Sequence, residues 1–97
     1  MKDVIREDAR IVILKELHLQ GNYALNDSIL SQTLDAFGIF KSRDWLREEL
    51  RWLEDVGAVT LTTVGSVIIA QLTSKGVEHV ERRLVIPGIK RPGPAQG

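Results

Sequence analysis

The stretch of residues 42–59, SRDWLREELRWLEDVGAV, constrains this chain more than any other. Leu46, Leu50 and Leu53 recur at four- and three-residue spacing, the period of one helical face, with Trp45, Trp52 and Val56 beside them. Ser42 stands where a helix cap belongs, and Asp44 falls in the first turn, where the helix dipole favours an acid. Gly57 sits where a left-handed terminator is expected. The spacing predicts a helix over residues 42–56 that runs directly into a strand.

The ribbon that follows is read from residues 58–63 and 66–72, both rich in β-branched side chains and separated by a short turn at Val64-Gly65. Upstream, residues 3–20 carry a first helix with Ile5, Ala9, Val12, Ile13 and Leu17 on one face. Gly21-Asn22 stops it, and Tyr23, Ala24 and Leu25 supply a short strand. Asn26 or Asp27 caps a second helix over 27–37, whose buried face is expected to be Ile29, Leu30, Leu34 and Phe37. Gly38 ends that helix, and Ile39, Phe40 and Lys41 form the turn into the third. Thr73 or Ser74 opens a fourth helix over 74–84, with Val77, Val80 and Leu84 inward. The expected order is helix, short strand, helix, helix, strand, strand, helix. That is a mainly α fold with a small β ribbon (α+β), the layout of a winged helix-turn-helix.

Ninety-seven residues suit one domain, placed at residues 1–84, and 43% hydrophobic residues suffice for one modest core. Residues 85–97 hold three prolines and three glycines and read as a flexible, basic tail, extended or disordered. The longest apolar run is four residues, far short of a membrane span, and the charged N-terminus has no signal core. A cytoplasmic protein is expected. Ile11, Leu14 and Leu19 widen the apolar surface of the first helix beyond one stripe. Two accounts fit: burial on two sides within the domain, or packing against a second subunit as a homodimer.

The segment LRWLEDVGAV running into the ribbon, and LTSKGVEHV after it, resemble the winged helix-turn-helix domains of small bacterial repressors of the antibiotic- and arsenical-resistance types. Leu50, Leu53, Gly57, Val59, Leu72, Thr73 and Gly76 carry the match, over about residues 10–83. The whole chain is also similar to small proteins of unassigned role encoded by Mu-like prophages. The resemblance implies a DNA-binding protein, a phage or prophage transcriptional regulator, with the third helix in the major groove of double-stranded DNA. Carried over, the contacts are Lys41, Ser42, Arg43, Arg47 and Arg51. The three arginines, spaced by four, form one stripe suited to guanine edges or phosphates.

Charge pulls the other way. Thirteen basic and thirteen acidic residues cancel, whereas a nucleic-acid-binding domain usually carries a basic excess. No lysine or arginine lies between Arg51 and Lys75, so the wing lacks a phosphate grip. Asp44 with Arg47, Glu48 with Arg51 and Asp55 with Arg51 stand at pairing distance on the helix, each pair contributing about 0.2–0.5 kcal/mol. The alternative is therefore a winged-helix adaptor that binds a phage or host protein, in assembly, packaging or host takeover, through the neutral ribbon or the first helix. Arg47 and Arg51 tied up by Glu48 and Asp55 beside a nonbasic wing would favour it. The one net-positive segment is residues 75–97, where Arg82, Arg83, Lys90 and Arg91 could meet an anionic partner.

Nothing points to catalysis, a cofactor or a metal. Cysteine is absent, the serines suit caps and turns, and no glycine-rich phosphate loop occurs. His18 and His79 stand apart, and His79 with Glu78 and Glu81 reads as part of a helix surface. Trp45 and Trp52, seven apart, read as core packing against the first helix and the ribbon.

Overall fold

The computed structural model describes residues 3–93. Its elements are α1 (Val4–Leu19), β1 (Ala24–Asn26), α2 (Asp27–Ala36), α3 (Arg43–Asp55), β2 (Val59–Val64), β3 (Val67–Leu72) and α4 (Ser74–Val80). The order matches the one expected and is compatible with a winged helix-turn-helix. Local chemistry sets each helix start. Asp3, Asn26, Ser42 and Thr73 each accept a hydrogen bond from a backbone N–H three residues on. Gly57, at φ +85°, closes α3, and the Ala58 N–H returns to the Leu53 carbonyl at 2.9 Å.

The three strands form one antiparallel sheet in the order β1-β3-β2. β3 is central: Ala24 faces Gln71 on one side and Val59 faces Leu72 on the other. The hairpin turn is one residue later than expected. Val64 pairs with Val67, leaving Gly65 and Ser66 as a two-residue loop. Gly65 has φ +58°, the positive value that a II′ hairpin requires at its first loop position. Along β3, Ile68, Ala70 and Leu72 alternate inward, as the two-residue period of a strand dictates.

These three close a core with Ala9, Ile13, Leu14 and Leu17 of α1, Leu30 and Leu34 of α2, and Leu46, Leu50 and Leu53 of α3. Ile11 and Leu14 are buried, so the domain itself covers the widened face of α1, except at Leu19, which is 75% exposed. Ile29 and Phe37, expected on the buried face of α2, are exposed instead. Leu30 and Leu34, with the buried Asp27, fill the space beneath that short helix.

Two expectations about the C-terminal part are corrected. α4 stops at Val80, not 84, because Arg82 adopts a left-handed φ of +65° and the Arg83 N–H returns to the Glu78 carbonyl at 2.8 Å. The segment after it is not a loose tail up to Lys90, since Ile86 and Ile89 are buried in the core. Gly88, at φ +93°, lies flat on Trp52, where an added Cβ would stand 2.6 Å from the indole. Arg10 covers the Trp52 ring, 3.7 Å from its centroid, and donates to the Gly88 carbonyl at 2.8 Å. Proline and glycine here shape a packed crossing rather than mark disorder. Residues 94–97 of the expected tail lie outside the described residues.

Candidate recognition surface

The arginine stripe of α3 is anchored from below. Asp27, the first residue of α2, is fully buried, and its carboxylate meets three groups. Arg47 Nε donates to Oδ2 at 2.8 Å and Arg43 Nε to the same oxygen at 3.1 Å, while the Ile68 N–H donates to Oδ1 at 3.1 Å. Arg47 Nη2 also reaches the Ser66 carbonyl at 2.7 Å. One carboxylate thereby ties α2, α3 and the turn end of the hairpin together. Burial opposes its ionisation, but the bonds from Arg47, Ile68 and Arg43 outweigh that and hold the Asp27 carboxyl below the usual carboxylate range.

The helix-surface pairs expected from spacing do not form. Among the described residues, Asp44, Glu48 and Asp55 make no ion pair with Arg47 or Arg51. For Arg47 the physical reason is competition; Arg51 stays exposed to solvent. A buried carboxylate offers charge-assisted hydrogen bonds away from water, whereas the exposed neighbours offer a weak screened contact. Asn26, not Asp27, caps α2 through Oδ1 to the Ile29 N–H at 2.9 Å, which leaves the Asp27 carboxylate free for the arginines.

The five proposed DNA contacts therefore separate. Ser42 uses its hydroxyl as the cap of α3, accepting from the Trp45 N–H at 3.1 Å. Arg43 and Arg47 have their Nε groups committed to Asp27, and their side chains are 44% and 27% exposed. Lys41 lies over the Trp45 ring at 5.5 Å, and Arg51 is exposed. The hairpin beside them carries no charged side chain from Ala58 to Ser74.

A second ion-pair centre escaped the sequence reading. Glu49 is buried on the opposite side of α3, bonded by Arg6 and, at 2.6 Å, by Arg10 Nε. Arg6 also sits over Trp45, 5.3 Å from the ring centroid. Both tryptophans are half-buried under arginine lids rather than sealed in the core. The signal was present: Glu49 lies three after Leu46 and four before Leu53, on the buried face, where an acid demands a basic partner.

The four C-terminal cations sort two and two. Arg83 pairs with Glu81, and Lys90 with Asp8 at 3.0 Å. Arg82 and Arg91 instead line one pocket beside α4. His79, expected on a surface, is fully buried. Its Nδ1 accepts from the Ile86 N–H at 3.1 Å, so the ring proton resides on Nε2 and is directed to the Lys90 carbonyl at 3.0 Å. His18 bonds Glu81 at 2.9 Å, and that bond is the main cause holding the Glu81 carboxyl low. The two histidines thus serve separate contacts. Among the described residues no cluster of three or more His, Asp or Glu side chains could hold a metal, and no helix is long and apolar enough to cross a membrane.

Several large apolar side chains are also exposed. Leu19 and Phe40 are each 75% exposed and Phe37 63%. Leu19 and Phe37 border a groove of about 430 Å³ along α1, floored by Ile11 and Val12 and closed by Lys90, Arg91 and Gly93.

Comparison with known proteins places the chain beside one phage protein and one bacterial protein. It is 38% identical over 94 residues to the uncharacterized protein gp26 of Escherichia phage Mu, covering 97% of each chain. It is 36% identical over 75 residues to an uncharacterized protein of Haemophilus influenzae, covering 76% of this chain and 72% of that one. No protein-family profile matches the chain.

Proposed function

The chain belongs to the family of gp26 of phage Mu, and from that premise we propose that it is a non-catalytic winged-helix adaptor of a Mu-type phage or prophage, binding a protein rather than reading DNA. One observation carries this reading: Arg43 and Arg47 spend their Nε groups on buried Asp27, beside a hairpin with no cation. Around α3, Lys41, Arg43, Arg47 and Arg51 face Asp27, Asp44, Glu48, Glu54 and Asp55, so the local charge is not positive. Affinity for duplex DNA depends on phosphate neutralisation, which such a surface supplies poorly. The exposed Leu19, Phe37 and Phe40 offer apolar area of the kind that marks protein contact. Val4 and Ile5 are also exposed, at the other end of α1 from Leu19, where a homodimer could pack.

DNA binding with transcriptional regulation is the second reading, and exposed Lys41 and Arg51 on the outer side of α3 favour it. Titration of mixed-sequence duplex DNA at rising salt separates the two. The adaptor reading expects no saturable binding at low salt and no effect of Arg51→Ala. Saturable binding that falls steeply with salt and weakens in Arg51→Ala would transfer the function to DNA. In a phage lacking this gene, Phe37→Ser with Phe40→Ser should fail to restore phage yield while Arg51→Ala restores it.

A further inference from the structure

Arg82 and Arg91 face a pocket of about 320 Å³ between the end of α4 and the C-terminal crossing. Its remaining lining is His79, Leu84, Val85 and Pro92. No carboxylate of the described residues pairs with either arginine, although the neighbouring cations Arg83 and Lys90 are both neutralised. Two uncompensated guanidinium groups thus share a concave site whose other walls are mostly apolar. Arg82 donates only to a backbone oxygen, that of Gly93, at 3.1 Å. It does so from φ +65°, at a helix end where glycine is the unstrained residue. An arginine in that conformation signals a side chain kept for something other than backbone fit.

The site is also held in shape. His79 takes the Ile86 N–H on one nitrogen and is directed to the Lys90 carbonyl from the other. It clips both ends of residues 86–90, directly before Arg91. Buried Ile86 and Ile89 lock the same segment from beneath. The cations are therefore presented by a rigid frame, and a ligand would not have to order it.

We propose that this pocket binds the carboxylate of an acidic side chain flanked by aliphatic residues in a partner protein. The inference rests on the protein-binding reading and assigns it a second contact, adjoining the Phe37 groove at Arg91. A guanidinium fork matches a carboxylate in two parallel hydrogen bonds. Leu84, Val85 and Pro92 give an aliphatic neighbour of that acid a wall to cover, and Val85 is 52% exposed without it. A polyanion is the poorer match, because the pocket offers two guanidinium groups between apolar walls and the neighbouring cations Arg83 and Lys90 are paired.

The test is a backbone-amide NMR titration of the full chain with acetyl-Leu-Glu-Leu-amide, its Leu-Gln-Leu counterpart and inorganic phosphate. The acidic peptide should shift residues 82–85 and 91–92 saturably and bind about tenfold more tightly than the glutamine peptide, the size of one charge-assisted bidentate contact. Phosphate should bind more weakly than the acidic peptide. Arg82→Gly, which relieves the left-handed strain, should keep or raise the melting temperature and still lose about tenfold in affinity. Arg91→Gln should lose as much, and Arg83→Gln should bind as the natural chain does. Equal binding of both peptides, tighter binding of phosphate, or an Arg82→Gly variant that binds unchanged would each overturn the assignment. Absence of any shift with a negative DNA titration would remove this site alone. Absence of any shift with a positive one would remove the adaptor reading with it.

Discussion

Asp27 concentrates the physics of this fold in one carboxylate. It is buried, meets two guanidinium groups and one backbone N–H, and joins three elements that are far apart in sequence. Breaking a buried pair by removing one partner typically costs 3–5 kcal/mol. Because both arginines keep contact with water, Asp27→Asn is expected near the lower end, about 3 kcal/mol by urea unfolding at neutral pH. The pH dependence follows from the direction of the shift. The folded carboxyl holds its proton less readily than the unfolded one, so its contribution is complete above the unfolded value of about 3.9. It is lost as pH falls through the folded value. The gap between natural chain and Asp27→Asn should therefore be flat from pH 5 to 7 and shrink below about 3.9. A constant gap down to strong acid would mean that Asp27 stabilises by shape rather than charge.

At the scale of elements, the helices were legible because their caps and periods are local. Ser42, Gly57 and the leucines of α3 carry their meaning within a few residues. The crossing after α4 was not legible, since proline and glycine mark loose chain and tight packing alike. Ile86 and Ile89 decide between the two, being 2% and 4% exposed. Ile89→Ala should cost about 2–5 kcal/mol, the range for a buried aliphatic truncated to alanine. A loose tail would show almost no change by the same chemical denaturation. Gly76 sits where α4 crosses the root of the ribbon, and an added Cβ would meet the Ala58 carbonyl and Leu72. Gly76→Ala should cost about 1–3 kcal/mol by overpacking, against a few tenths for an alanine at exposed Gly21. Thermal unfolding of the two variants checks the contrast.

Across the whole molecule, zero net charge is distributed as two buried acids, each gripped by two arginines. Asp27 holds α2, α3 and the hairpin, and Glu49 holds α1 against α3. Four arginines that a sequence count offers to an anionic partner are thereby used in holding the domain together. If this allocation is right, Arg47→Ala should lower the melting temperature by several degrees, whereas Arg51→Ala should leave it within a degree or two, by calorimetry. The sequence alone determined the element order, the caps, the glycine stop and the leucine faces, because each depends on neighbours within one or two helical turns. Only the tertiary structure decided which acid each arginine meets, that His79 is a buried clip, and that the C-terminal crossing belongs to the core. Those choices depend on distance in space, and a buried carboxylate sixteen or twenty residues away outcompetes an exposed one a single turn away.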